Sequence, residues 1–285
     1  MDSAFNAIFE ILSFGAIIVL VVLGLGVIAS MMGIFNFAHG EFVLLGAYTT
    51  YLVYKSGLPV WLGMVAAPLV LAVIGFVLER LVIRRFYAAP IVAMLGTYAL
   101  GLVIREVVRG LIGGLYISIP EPIGGSFVFG GAQFSRWRLT IVIVTALVMT
   151  ASYLLLTRTS FGLRVRAALE NPSLARASGI STNRIYAITF AFGAALAGLA
   201  GALVVPVFSL FADLGIRFLI QGFLAVMLGG VGTFEGPVAG GGVIGVLSAA
   251  LPWAVSPVLA DVLVFIIAIT IVKLRPGGLI AGRRV

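Results

Sequence analysis

Apolar residues run along this chain in long blocks, separated by short polar stretches, with no sustained alternation of period two. The blocks cover about 11–32, 34–54, 60–77, 91–108, 139–156, 185–210 and 258–272. Each is near the roughly 20 residues that carry a helix across hydrocarbon. Residues 219–251 add a Gly-rich apolar tract long enough for two short crossings. The pattern predicts an all-α polytopic membrane protein of about eight or nine transmembrane helices, some of them interrupted. The count is nine if 219–251 crosses twice. It is eight if that tract is re-entrant or the first block does not cross. Only Asp2 and Glu10 precede or open the first block, with no basic stretch, so it reads as a retained span rather than a cleaved signal.

The polar stretches give the orientation. Arg80, Arg84, Arg85, Arg158, Arg164, Arg166, Arg176, Arg184, Lys273, Arg275, Arg283 and Arg284 fall on one side of this layout. Lys55, Arg105, Arg109, Arg136, Arg138 and Arg217 fall on the other. The larger set is expected in the cytoplasm, which puts the N-terminus outside and the C-terminus inside. Segment 109–138, with Gly113-Gly114, Pro120, Pro122, Gly124-Gly125 and Gly130-Gly131, then reads as a long extracytoplasmic loop. Segment 158–184 reads as a polar cytoplasmic loop within a single transmembrane domain, 1–285.

Composition narrows the chemistry. Hydrophobic residues make up 62% of the chain and charged residues 10%, against about 25% charged in soluble domains. Cysteine is absent and there is one histidine, so neither a metal site nor a cofactor is expected. The net charge of +8 belongs beside anionic lipid rather than nucleic acid.

Three segments carry more than hydrophobicity. Residues 32–42 place Asn36, His39 and Glu41 within six residues, next to Gly33 and Gly40, inside an apolar region. They form either an interfacial turn in which Glu41 favours a helix N-terminus, or a broken helix bordering a translocation path. Residues 227–240 repeat that outline with Gly229, Gly230, Gly232 and Glu235. Paired interrupted segments point to a transporter's repeat and its midplane site, although close helix packing explains the same glycines. In the third, Asn171-Pro172 is a helix start and Gly179 its stop, which predicts a surface helix of about two turns over 171–180. A membrane enzyme would need a clustered nucleophile and base, which one histidine does not supply. An ion-coupled transporter or channel would need a mid-span acid, for which Asp261 and Glu235 are the candidates.

The string from Gly33 to Glu41 is similar to the NFAHGE signature of permeases in ABC importers for branched-chain amino acids. Residues 166–171 and 177–190 resemble that family's coupling loop and the span after it. Residues 228–233 resemble its LGGxGS/T segment, and 275–279 its RPxGL tail. The resemblance is to the first of the family's two permeases. Urea and short-amide permeases belong to the same family, and 42–49 and 81–87 look at least as much like that group.

The resemblance implies a bacterial inner-membrane importer. It implies a heterodimer with a second related permease, two cytoplasmic ATP-binding subunits and an extracytoplasmic solute-binding protein. Asn36, His39, Glu41, Gly229, Gly230, Gly232 and Glu235 are expected along the path. Glu170, Leu174, Ala175, Arg176, Ala177 and Gly179 are expected to couple the chain to the ATPase. The chain has no Gly-x4-Gly-Lys-Ser/Thr string, and its only lysines are Lys55 and Lys273, so the nucleotide site is expected on a partner.

Overall fold

A computed structural model describes residues 2–87, 89–129 and 132–280. Eleven α-helices make up most of it: α1 (Asp2–Met32), α2 (His39–Lys55), α3 (Val60–Leu81), α4 (Pro90–Ile112), α5 (Arg136–Arg158), α6 (Ser160–Glu170), α7 (Pro172–Ala177), α8 (Thr182–Phe208), α9 (Leu214–Gly229), α10 (Glu235–Ala250) and α11 (Pro257–Leu274). Seven helices are long and apolar enough to cross a membrane. Helices α2 and α9, of 17 and 16 residues, fall short of that length but pack with the others.

Sequence sets the helix ends. The Ser135, Thr159, Asn171 and Ser256 side chains each accept a backbone N–H from the first turn of α5, α6, α7 and α11. Prolines at the starts of α4, α7 and α11 occupy the position where no donor is needed.

Helices α1 and α8 form the centre, each largely buried by its neighbours, whereas α5 and α11 present mostly exposed apolar faces suited to lipid. Small residues let the backbones approach closely, the usual device where lipid removes the hydrophobic drive between helices. A Cβ at Gly46 of α2 would stand only 2.3 Å from the Gly198 carbonyl oxygen of α8.

Tertiary contacts sort the connections onto two faces. On the face where α1 begins, Arg138 lies 3.8 Å from Glu10, and Ile117 exchanges backbone hydrogen bonds with Leu210. On the opposite face, Arg84 donates to the Asn183 carbonyl, and Leu279 and Ile280 donate to Leu228 and Gly229. The basic residues expected together from Arg80 through Arg275 sit at helix ends and connections of this second face. Arg283, Arg284, Gly130 and Gly131 lie outside the described residues.

Four expectations change. The second block does not become helical until His39, leaving 33–38 irregular. The loop expected over 109–138 shrinks to 113–135, and it contains an antiparallel pair, β1 (Ser126–Phe129) and β2 (Ala132–Ser135). Its Phe127 and Phe134 rings stack beside Phe9 of α1, which gives the hairpin an apolar anchor. The polar stretch 158–184 is largely helical, because α6 precedes the expected short helix, and that helix has six residues rather than two full turns. Arg105, expected with the loop residues, is inside α4 and buried.

Candidate functional site

Helix α1 ends at Met32, yet the His39 Nε2 atom lies 3.1 Å from the Val21 carbonyl oxygen. Val21 is about 16 Å back along α1 from Met32. Segment 33–38 therefore doubles back beside α1, and α2 starts deep inside the bundle. Irregular backbone at such depth persists only when its polar groups find partners within the protein. Phe37 N–H donates to Thr97 Oγ1 at 3.1 Å, Ala38 N–H to Asn36 Oδ1 at 3.0 Å, and His39 N–H to the Asn36 carbonyl at 3.3 Å.

Each polar residue here has a distinct task. Asn36 folds the turn that launches α2. His39 donates from Nε2, since a carbonyl can only accept, and so braces that start against α1. A Cβ at Gly24 would stand 2.7 Å from the His39 ring, so the imidazole fits because α1 has a glycine there. Glu41 points the other way, toward α4. Its Oε1 accepts from Arg105 Nε at 3.0 Å and again from Nη2. Glu41 is fully buried and Arg105 nearly so. The pair offsets two charges that would be expensive alone in hydrocarbon.

Arg105 also lines a groove of about 680 Å³ between α4 and the pair α9 and α11. The rest of the lining is almost entirely apolar, including Phe37, Met94, Leu95, Leu219 and Phe223. Phe35 and Phe37 pack on Phe223, with ring centroids 5.5 and 5.3 Å away. Above the groove, Arg109 reaches Asp213 just before α9 at 2.7 Å.

Asn36, His39 and Glu41 thus share one buried centre, and none faces lipid. The second expected segment does not join them. Gly229, Gly230, Gly232 and Glu235 lie where α9 turns into α10, on the face that carries Leu279 and Ile280. There Leu279 and Ile280 donate to the Leu228 and Gly229 carbonyls, and Gly232 and Glu235 are exposed. Asp261, weighed as a mid-span acid, is also exposed, whereas Glu41 and Glu79 are the fully buried acids among the described residues.

The expected coupling residues lie together on that same face. Asn171 Oδ1 accepts the Leu174 N–H at 2.9 Å, and Gly179 has φ +81°. Glu170, Leu174, Arg176, Ala177 and Gly179 are exposed. Ala175 is the exception: it is buried within this chain and is not available to a partner. Tyr186 of α8 donates to the Ala168 carbonyl of α6 at 2.7 Å, and α6 brings Leu169 beside Gly33. The region is thereby tied to the broken segment.

Two buried charged residues stand outside the expected site. Arg105 is one. The other is Glu79, which accepts from Arg84 at 3.0 Å and from the Tyr87 hydroxyl at 2.7 Å. Burial and the adjacent Glu79 carboxylate raise the Tyr87 phenol above its usual pKa, so it remains a donor. The signal for Arg105 is present in the sequence, since Arg105-Glu106 interrupts an apolar run that otherwise crosses.

The comparisons with known proteins agree with this architecture. The family described as branched-chain amino acid transport system, permease component, matches residues 7–272. The permease protein LivH of the high-affinity branched-chain amino acid transport system of Salmonella typhimurium is 26% identical over 98% of this chain and 95% of its own length. The corresponding BraD protein of Pseudomonas aeruginosa is 28% identical, over 94% and 93%. A probable branched-chain amino acid transport permease, LivH of Methanocaldococcus jannaschii, is 30% identical, over 81% and 75%. The chain belongs to the family of permease components of branched-chain amino acid transport systems.

Proposed function

We propose that this chain is one of two related permeases of an ABC importer that brings branched-chain or other hydrophobic amino acids into the cytoplasm. ATP is hydrolysed on partner subunits. The match of residues 7–272 to the permease family carries the reading. The face bearing α6 and α7 is cytoplasmic, because it carries the basic excess. The face bearing the β hairpin receives a solute-binding protein. In this mechanism, closure of two ATPase subunits pushes on Glu170, Leu174, Arg176, Ala177 and the backbone at Gly179. The push passes through α6 and α8 to segment 33–41, where the broken helix shifts around the passing solute. High affinity resides in the binding protein, since a permease must release what it moves.

The test is uptake by proteoliposomes carrying this chain with its second permease, ATPases and binding protein. Labelled leucine should accumulate with ATP and not without it. Accumulation of urea or a short amide instead of leucine would transfer the chain to the other branch suggested by residues 42–49 and 81–87. Orientation is checked by an impermeant thiol reagent on Ser126→Cys in intact cells, since Ser126 is exposed on the hairpin and the chain contains no native cysteine. Labelling from outside supports the assignment, and protection reverses it.

A further inference from the structure

We propose that Arg105 receives the carboxylate of the solute as it passes, with the groove between α4 and α9 taking the apolar side chain. The proposal rests on the amino-acid reading above and deepens it by naming the contact. Three observations carry it. Arg105 is the charged residue in the lining of an otherwise apolar groove of about 680 Å³. Its two bonds, from Nε and Nη2, both go to a single oxygen of Glu41, while Glu41 Oε2 faces Gly215 of α9 without a hydrogen bond among the described residues. One edge of the guanidinium is thus fixed by Glu41, and Nη1, which makes no hydrogen bond among the described residues, is the group left for a second carboxylate at the edge of the groove.

The third observation concerns α4, which borders the groove and is tied to the body by a few polar links. They are Arg105 to Glu41, Phe37 N–H to Thr97, and Arg109 to Asp213. A lipid tail in the groove would bring hydrocarbon onto the guanidinium, which is costly. A carboxylate bearing an apolar side chain satisfies both parts of the lining. Glu41 is the positioning residue: it holds Arg105 and offsets its charge when the groove is empty. Urea offers no carboxylate, so the site also separates the two substrate classes.

The test uses labelling of Leu95→Cys, a groove residue that is 64% exposed. The permeases and ATPases are reconstituted without the binding protein, so that only the permease's own selectivity is read. Leucine and isocaproate should each slow maleimide labelling several-fold at high concentration, whereas leucinamide and urea should not. In the charge exchange Glu41→Arg with Arg105→Glu, protection by leucine should vanish and cationic leucinamide should protect instead. Arg105→Lys keeps the charge but not the fork, and should weaken leucine protection in a complex that still assembles. Equal protection by leucinamide in the wild type, no protection by any solute, or undiminished leucine protection in Arg105→Lys would each overturn the proposal. Leucine uptake by the complete wild-type system is measured alongside. No uptake sinks the amino-acid reading, and isocaproate protection then judges the Arg105 contact by itself. Uptake without protection sinks the contact alone.

Discussion

Segments 33–38 and 230–234 both interrupt apolar helices, and both sit among glycines close to a carboxylate. The first returns into the bundle, starts α2 beside Val21 and sends Glu41 to Arg105. The second stays at the face of the bundle, where Leu279 and Ile280 donate to the last carbonyls of α9 and Glu235 is exposed. What separates them is where their polar groups find partners. A charge with a buried partner on another helix can be held inside the membrane; one without must remain at the surface.

The largest effect should follow from breaking the buried pair. Arg105→Gln or Glu41→Gln alone strands one charge, at a cost of about 3–5 kcal/mol. The yield of folded permease and its melting temperature in detergent should both fall. The double substitution Glu41→Gln with Arg105→Gln should recover most of that loss. Glu235→Gln should change stability by no more than about 0.5 kcal/mol, as expected of an exposed site. A Glu235 effect as large as that at Glu41 would erase the distinction between the two breaks.

A smaller loss should come from the packing behind the second break. A Cβ at Gly240 would meet the Ala225 carbonyl oxygen at 1.9 Å, whereas one at Gly242 meets nothing within 4 Å. Gly240→Ala should therefore cost about 1–3 kcal/mol through forced backbone shifts. Gly242→Ala, two residues away in the same helix, should cost nothing. Equal melting temperatures for the two variants would mean that α9 and α10 do not pack as described.

A third substitution tests the end of the chain. Leu279→Pro removes the N–H that reaches the Leu228 carbonyl at 2.9 Å. Because Leu228 is fully buried, its carbonyl loses its donor without ready access to water, and the cost should be about 1–3 kcal/mol. A loss matching that of Arg105→Gln would show that the tail holds more than this one carbonyl.

Sequence exposed the order of the blocks and the caps of α7, and offered the broken start of α2 as one of two readings, because each is written in neighbouring residues. Hydrophobic run length and the Asn171-Pro172 start are of this kind. It concealed Arg105, whose partner is 64 positions away. Linear position alone places that arginine among the loop charges, although a charge inside an apolar run is itself a sign of a buried partner. The likeness between 33–41 and 227–240 misled in the opposite direction. Short Gly-rich strings report that backbones turn or approach closely, not the depth at which they do so. Helix α6 reads as loop in the sequence because Arg164 and Arg166 mask an apolar face formed by Gly162, Val165 and Ala168.

Gly179 should give a small structural effect, and it bears on how the first break is driven. Its φ of +81° favours glycine, and a Cβ there would meet nothing within 4 Å. Gly179→Val therefore adds conformational strain without a clash, about 1 kcal/mol or somewhat more for a β-branched side chain. Yield and detergent melting should stay close to wild type. The strain falls on the turn after α7, where Ile180 N–H returns to the Ala175 carbonyl at 2.9 Å. That turn leads into α8, which is bonded to α6, and α6 lies beside Gly33 at the entrance of the first break. If α7 is the contact with the ATPase, Gly179→Val should reduce leucine uptake and solute-stimulated ATP hydrolysis, or release the ATPase on purification, while folded protein remains abundant. Uptake, hydrolysis and co-purification all at wild-type values would leave α7 as a basic surface turn, and the first break would need another source of movement.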